Sequence, residues 1–431
     1  MNAASNHLRP VAERCLEMLQ RRGFTKSRVR VGATERHELN EEIGTINLLR
    51  TNRDFSVDLL GIVDGKSGAL SINQLDADAL DRAVEDLWAV TGGSAADPAN
   101  DIAPAQPRRS FGFGSDTPDY EAMAQRMSEV LAHAREQYPT LVMRQGFVDF
   151  VSRQEIFVNS NGVDFDSRRG YYGASLMFGA REGKKQSSFN YTGFVSRALD
   201  QPLHRCATTD VLMRQTTEQL ETRKVPEKFV GDLVITPDCL DSFLAFLLRG
   251  ISGMALITGT SLYKGRLGAR VVSDKLTVGS RPRDLPGGYF VTDDGFETQN
   301  STIVENGVLK SYLLDLYSAN KTGLPRSSTG GGCWVIEAGD ASVDELIRAV
   351  DRGLLITRFS GGVPNDKGDF SGIAKNSYYI DKGELRFPVS ETMVSGNLDR
   401  LLNDVVAISS ERADFGRRVY PWVQVSGVVV S

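Results

Sequence analysis

An Asn161-Gly162 pair stands within a stretch in which apolar and polar residues alternate, VMRQGFVDFV from Val142 and then EIFVNSNGVDF to Phe165, which contains the pair. Asn-Gly is a strong tight-turn signal, because both residues tolerate the left-handed backbone that joins antiparallel strands. Side chains on a strand alternate between faces, so each run must bury one face and present the other. From Val142 to Tyr172 the sequence therefore predicts short β-strands joined by a tight turn.

Ahead of this region the apolar spacing is helical in places. Leu80, Val84 and Leu87 share one face of a helix expected over Asp76 to Val90, and Met123, Met127, Val130 and Leu131 do the same over Asp119 to Glu136. A helix over Pro10 to Arg22, alternating segments at Arg28 to His37 and Ile43 to Leu49, and an extended stretch from Phe55 to Leu70 complete a mixed α/β beginning. Between the two central helices, Thr91 to Pro118 is rich in Gly, Pro, Ala and short polar residues and reads as a long surface linker or loop. A helix near Thr209 to Arg223 leads to a strand at Phe229 to Thr236. Thr236-Pro237 reads as an N-cap with proline at the first helical position, opening a helix to about Leu248 that Gly250 stops. Later segments are rich in Gly and β-branched residues, with one helix announced by the capping box of Ser342 and Glu345. The fold class expected is α+β: an N-terminal α/β domain over 1–222, carrying the 91–118 linker, then a β-rich C-terminal domain over 223–431.

Fifty Lys and Arg against fifty-five Asp and Glu give a net charge of -5, so no global basic footprint marks a dedicated nucleic-acid binder. Only the local cluster Lys26 to Arg30 leaves that class open. The polar start and the absence of a long apolar run predict no membrane span and a cytoplasmic protein. Cys15, Cys206, Cys239 and Cys333 form no C-x-x-C pair.

There are four histidines, His7, His37, His133 and His204, and none has another within ten residues. A zinc hydrolase helix needs closely spaced imidazoles with a glutamate between them. His37-Glu38 lacks the second histidine, and His133 and His204 read as structural or solvated side chains. Cys239 falls in an apolar helix. Cys333, in TGGGCW, lies in a glycine run where backbone amides can approach a ligand, although packing under Trp334 is the simpler account. Asp293 and Asp294 in VTDDGFET, and Asp366 and Asp369 in VPNDKGDF, are turn-type aspartates that can also line a cleft. Neither a G-x-S-x-G elbow nor a phosphate-binding G-x-x-x-x-G-K-[ST] loop occurs.

Four ordered segments resemble the TldD/TldE family, also called PmbA or modulator of DNA gyrase: Phe229 to Gly268, Val291 to Gly323, Gly361 to Leu398 and the N-terminal helix-plus-strand layout. One departure is GGVPND, where the family commonly has G-x-V-N-P-x-T-G. The resemblance implies a two-domain protein in a dimer that encloses a proteolytic chamber. It also implies that a TldD-type subunit carries H-E-x-x-x-H on the helix before S-x-x-x-G-x-x-G, with a later cysteine completing a zinc site. With Ser261, Gly265 and Gly268 set on that segment, the histidine positions fall at about Leu244 and Arg249 and the glutamate at Ala245, and no cysteine follows Cys333. An arginine would also repel a divalent cation.

The expectation is therefore a TldE/PmbA-like subunit with no cofactor of its own, zinc residing in a TldD-type partner. It would help to process or degrade unstructured peptides, in peptide natural-product maturation and small-protein turnover. Leu244, Arg249 and Ser261 are the substrate-facing candidates. The alternative is a homodimeric, metal-independent hydrolase or biosynthetic enzyme using Asp293, Asp366, Asp369 or Cys333 in acid/base or nucleophilic roles.

Overall fold

A computed structural model describes residues 5–431. The first half contains α1 (Ser5–Arg22), β1 (Lys26–Glu42), β2 (Thr45–Val63), β3 (Lys66–Ile72), α2 (Ala77–Gly93), β4 (Arg109–Phe113), α3 (Tyr120–Gln137), β5 (Leu141–Asn159), β6 (Asp164–Glu182), β7 (Lys185–Gln186), β8 (Asn190–Ser196) and α4 (Thr209–Glu218). Its sheet runs β3-β2-β1-β5-β6-β4, with β7 and β8 also on β6, and only β4 lies parallel to its neighbour. The α+β class is as expected, and the strands around Asn161-Gly162 are the long central pair β5 and β6. Only Gly162 of the turn has a positive φ, +96°, while the Asn159 side chain accepts from the Asn161 and Val163 amides and closes the loop.

Alternation decides the two faces of this sheet. Val29 and Val31 of β1 and Ile156 and Val158 of β5 are buried with α1 and α2. Val148 and Phe150 of β5 and Tyr172, Leu176 and Phe178 of β6 are buried with α3 and α4. The intervening residues point the other way, towards the second half.

That half contains β9 (Phe229–Ile235), α5 (Leu240–Gly250), α6 (Gly253–Thr258), β10 (Val278–Ser280), β11 (Ser301–Glu305), β12 (Val308–Leu309), α7 (Leu316–Thr322), β13 (Trp334–Ile336), α8 (Val343–Arg348), β14 (Arg352–Ile356), β15 (Arg358–Gly361), β16 (Asp369–Lys375), β17 (Tyr378–Asp381), β18 (Glu384–Pro388), β19 (Thr392–Asn397), α9 (Leu398–Asn403), β20 (Val405–Asp414) and β21 (Arg418–Val430). Thirteen strands form one sheet, with the spine β12-β11-β10-β13-β21-β9-β14-β17-β18. Its main core packs α5, α6 and α9 on the strands through residues such as Phe243, Leu247, Tyr263, Leu354 and Val423. The Ser342–Glu345 capping box opens α8 as read.

Two expectations need correction. Thr236 does not cap α5: its amide is held by the Ile356 carbonyl at the end of the sheet, so a turn intervenes and Cys239 occupies the N-cap without a side-chain bond. The stretch from Thr91 to Pro118 is no free surface linker. α2 extends into it to Gly93, β4 joins the sheet, and Ala99, Ile102 and Ala103 are buried. Asp97 pairs with Lys321 of α7 at 2.6 Å, and Gln106 donates to the Gly295 carbonyl at 2.8 Å. The segment thus clasps one sheet to the other half. Its apolar residues act singly, which is why no periodicity announces them. From the opposite end of the chain, Ala413 and Phe415 complete the core under α3 and α4, and Val195 of β8 donates to the Phe415 carbonyl. Gly416, at φ +70°, passes so close that a Cβ there would sit 1.8 Å from the Val195 oxygen.

Candidate functional site

The outward face of the first sheet and the loops of the second half enclose a cleft of about 240 Å³, lined by Arg30, Arg153, Glu155, Ser167, Arg169, Tyr289, Phe290 and Asp293 among others. A second cavity of about 370 Å³ shares Thr292, Asp293 and Gly330 with it and continues past Met254, Ile257, Leu313 and Leu314. The two form one groove, basic at one end and, at the other, lined by apolar side chains together with Asp294, Asp315 and Arg326.

Asp293 stands where the halves meet. Arg30 donates to its carboxylate at 2.9 Å and to the Thr292 carbonyl at 3.0 Å, while Arg28 donates to the Asp293 carbonyl at 2.6 Å. The basic cluster Lys26 to Arg30 is thereby turned inward: Lys26 pairs with Asp101, and both arginines are used on the 292–293 turn. Asp294 is structural. Burial alone would raise its pKa, but two bonds from Arg326 at 2.7 Å, one from Thr292 and one from the Leu316 amide hold it below the ordinary carboxylate value.

Cys333 also borders this region, at the end of three residues with positive φ, Gly331 (+84°), Gly332 (+73°) and Cys333 itself (+48°). Burial pushes its thiol up to about 11, and Arg169 and Arg417 offset only part of that. Thiolate is the nucleophilic form, so this cysteine is poorly suited to nucleophilic catalysis at neutral pH. Asp366 and Asp369 lie elsewhere. Asp369 accepts from Asn397 at 2.9 Å and Asn365 at 3.1 Å, which holds it below the usual value, and the Asn365 side chain accepts from the Lys367 and Asp369 amides. That is a turn device. Asp366 lines a cavity of about 150 Å³ with Arg249, Phe246 and Tyr263. The four aspartate and cysteine candidates are thus divided between two places and form no acid/base pair.

The substrate-facing candidates on and after α5 fare differently. Leu244 is 1% exposed inside the main core, so it faces no chamber. Arg249 is exposed and donates to the Pro364 carbonyl at 3.3 Å, whereas the Ser261 hydroxyl accepts from the Tyr263 amide at 3.0 Å. A buried leucine, an alanine and an arginine do not fit a divalent cation. Among the described residues no group of three or more His, Cys, Asp and Glu side chains is placed to hold a metal ion. His133 and His204 do meet, with rings stacked 3.9 Å apart beside Asp210, a pairing across 71 positions that sequence spacing conceals. His37 is buried between Tyr120, Thr51 and Glu35.

Sequence reasoning missed Asp238, on the turn into α5. Thr208 donates to it at 2.7 Å, and although a rim of the residue reaches solvent, burial pushes its carboxyl up to about 6. The folded state therefore binds this proton more tightly than the unfolded chain does. Its contribution is full at low pH and is lost as pH rises through about 6. Asp238→Asn should flatten the stability profile between pH 4 and 7 by on the order of 1–2 kcal/mol, read as melting temperature against pH. An unchanged slope would remove Asp238 as the cause.

The fold and groove define a two-sheet α+β protein with a basic groove between its halves and no metal donor at positions 244, 245 and 249 of α5. Residues 230–431 match the PmbA/TldA metallopeptidase C-terminal domain. A metalloprotease PmbA homolog of Haemophilus influenzae is 25% identical over 445 residues, covering 95% of this chain and 93% of that protein. The crystal structure of TldE from Thermococcus kodakarensis superposes with a TM-score of 0.82 at 19% identity, over 98% of this chain and 100% of that one. A Bacteroides thetaiotaomicron structure described as a modulator of DNA gyrase gives 0.85 at 22% identity, over 98% of each chain. The C-terminal part of the chain, residues 230–431, thus matches the PmbA/TldA metallopeptidase domain, and the chain along nearly its whole length is similar to a PmbA homolog.

Proposed function

We propose that this chain is the non-metal-binding, TldE/PmbA-like subunit of a TldD-type zinc metallopeptidase complex that handles unstructured peptides. The carrying observation is α5: where the family resemblance sets its histidines and glutamate, this helix has Leu244 in the core, Ala245 without a donor, and the cation Arg249. Zinc chemistry would then belong to the partner, and this chain would contribute shape and backbone. β2 supports such a role. From Thr45 to Ser56 it has β1 on one side and no strand on the other among the described residues, because β3 pairs only with Val57–Val63. Ile46, Leu48, Leu49 and Phe55 are exposed along this stretch. An open strand edge flanked by apolar side chains suits addition of another strand, from a partner subunit or an extended peptide. The metal-independent hydrolase loses support, since Cys333 is a high-pKa thiol and Asp369 is tied into a turn.

Co-expression with a TldD-type subunit from the same source should yield one complex that contains zinc and cleaves unfolded peptides until a chelator is added. The proposal fails if this chain alone binds stoichiometric zinc and cleaves peptides in a chelator-sensitive way.

A further inference from the structure

We infer that the groove between the two halves binds a carboxylate of a peptide, and that Arg169 is the group that receives it. This rests on the peptide-handling role proposed above. Arg169 in β6 lies directly opposite Arg153 in β5. Like charges directly opposite in a sheet are destabilising unless anions stand near them. Arg153 has its anion, Glu155, at 3.0 Å. Arg30 has two, Asp293 at 2.9 Å and Glu155 at 3.4 Å.

Arg169 has none. Among the described residues its one hydrogen bond goes to the Pro286 carbonyl, and its buried Nε meets no acceptor. Phe113, Tyr171 and Phe290 surround the guanidinium with ring centroids 5.3, 5.9 and 5.5 Å away, fixing it without neutralising it. Burial lowers its pKa to about 10 and Arg153 and Arg417 add to that fall, the direction expected of a cation whose counter-charge is missing. Three arginines and two carboxylates line the cleft, which leaves one positive charge over.

The chemistry of the ligand follows from the donor and from the groove. A guanidinium presents parallel N–H donors in a plane, matching the two oxygens of a carboxylate. The groove then runs on past Met254, Ile257, Leu313 and Leu314, where Asp294 is engaged by Arg326 and Asp315 by the Ser318 amide, so the acid that fits has an apolar body. A peptide can supply the carboxylate from its C-terminus or from a Glu or Asp side chain.

The test uses the full-length protein and three labelled pentapeptides followed by fluorescence anisotropy: Ala-Ala-Leu-Ala-Phe as the free acid, the same peptide as its C-terminal amide, and the amide with glutamate as its fourth residue. The wild type is expected to bind the free acid about tenfold more tightly than the amide, and Arg169→Gln to lose that preference. Arg169→Lys, which keeps the charge without the fork, should fall between them. Recovery of affinity by the glutamate-containing amide also supports the pocket and assigns a side-chain source; without it, preference for the free acid assigns the terminus. Equal binding of acid and both amides, binding of none, or a preference that survives in Arg169→Gln overturns the inference. Should Arg169→Gln fail to fold, the wild-type comparison and the lysine variant decide. The complex with a TldD-type subunit is scored separately, so its formation and activity without any carboxylate preference would sink this pocket alone.

Discussion

Leu244→His is expected to destabilise the protein by about 4 kcal/mol or more, and not to create a zinc ligand. The reason lies in where the leucine sits. Leu244 is fully enclosed in the main core together with Phe243 and Leu247. An imidazole there would replace aliphatic contacts with a ring whose nitrogens need partners, and an unpaired polar group in such surroundings is costly. Adding Ala245→Glu and Arg249→His to restore the whole H-E-x-x-x-H pattern should not rescue it, because the first position stays in the core while Arg249 faces an open cavity. Denaturant unfolding measures the loss, and a zinc titration checks the metal. Nanomolar zinc binding by a stable triple variant would show that α5 can turn its first ligand outward, and the account of the helix given above would fall.

The second large effect concerns Asp294. Replacing it with alanine should cost about 3–5 kcal/mol, since Arg326 would be left partly buried without its carboxylate. Arg326 donates twice to Asp294 and lies 3.7 Å over the Phe296 ring, and the same carboxylate accepts from the Leu316 amide at the start of α7. The loss should therefore loosen the loop that forms one wall of the groove. Removing both charges, as Asp294→Leu with Arg326→Met, should recover a good part of the stability, because no lone charge remains. The sign with pH follows from the lowered carboxyl: the pair's contribution is present above the ordinary carboxylate pKa and is lost as pH falls through the folded-state value. A loss below about 1 kcal/mol in the single variant would place the pair among weak surface bridges.

Elements carried by a local period were legible in the sequence. α2 and α3 begin one residue after the expected starts, each behind an aspartate that caps it, and the Ser342 box is present. Asp293 and the 329–333 loop were noticed as a turn and a glycine run, and both border the groove. What escaped depends on register and on the third dimension. Arg153 and Arg169 become neighbours only once β5 and β6 are paired in one particular register. Thr236 carries every local sign of a cap but keeps its amide in the sheet. Ala99, Ile102 and Ala103 are buried on a stretch that is neither helix nor strand, so their burial is not set by a helical or strand period. The histidines stack although their positions in the chain are far apart.

The insertion of Ala413 and Phe415 beneath α3 and α4 bears on how the chain is made. A ribosome adds roughly 5–20 residues per second, so about 10–40 s separate the emergence of β8 from that of the residues that close the same core. For that interval the first half is a pocket waiting for a later segment of its own chain, and its apolar floor is open to chaperones or to another nascent chain. The order of synthesis and the order of packing are opposed here, and residues translated late act as the lock on what was translated first.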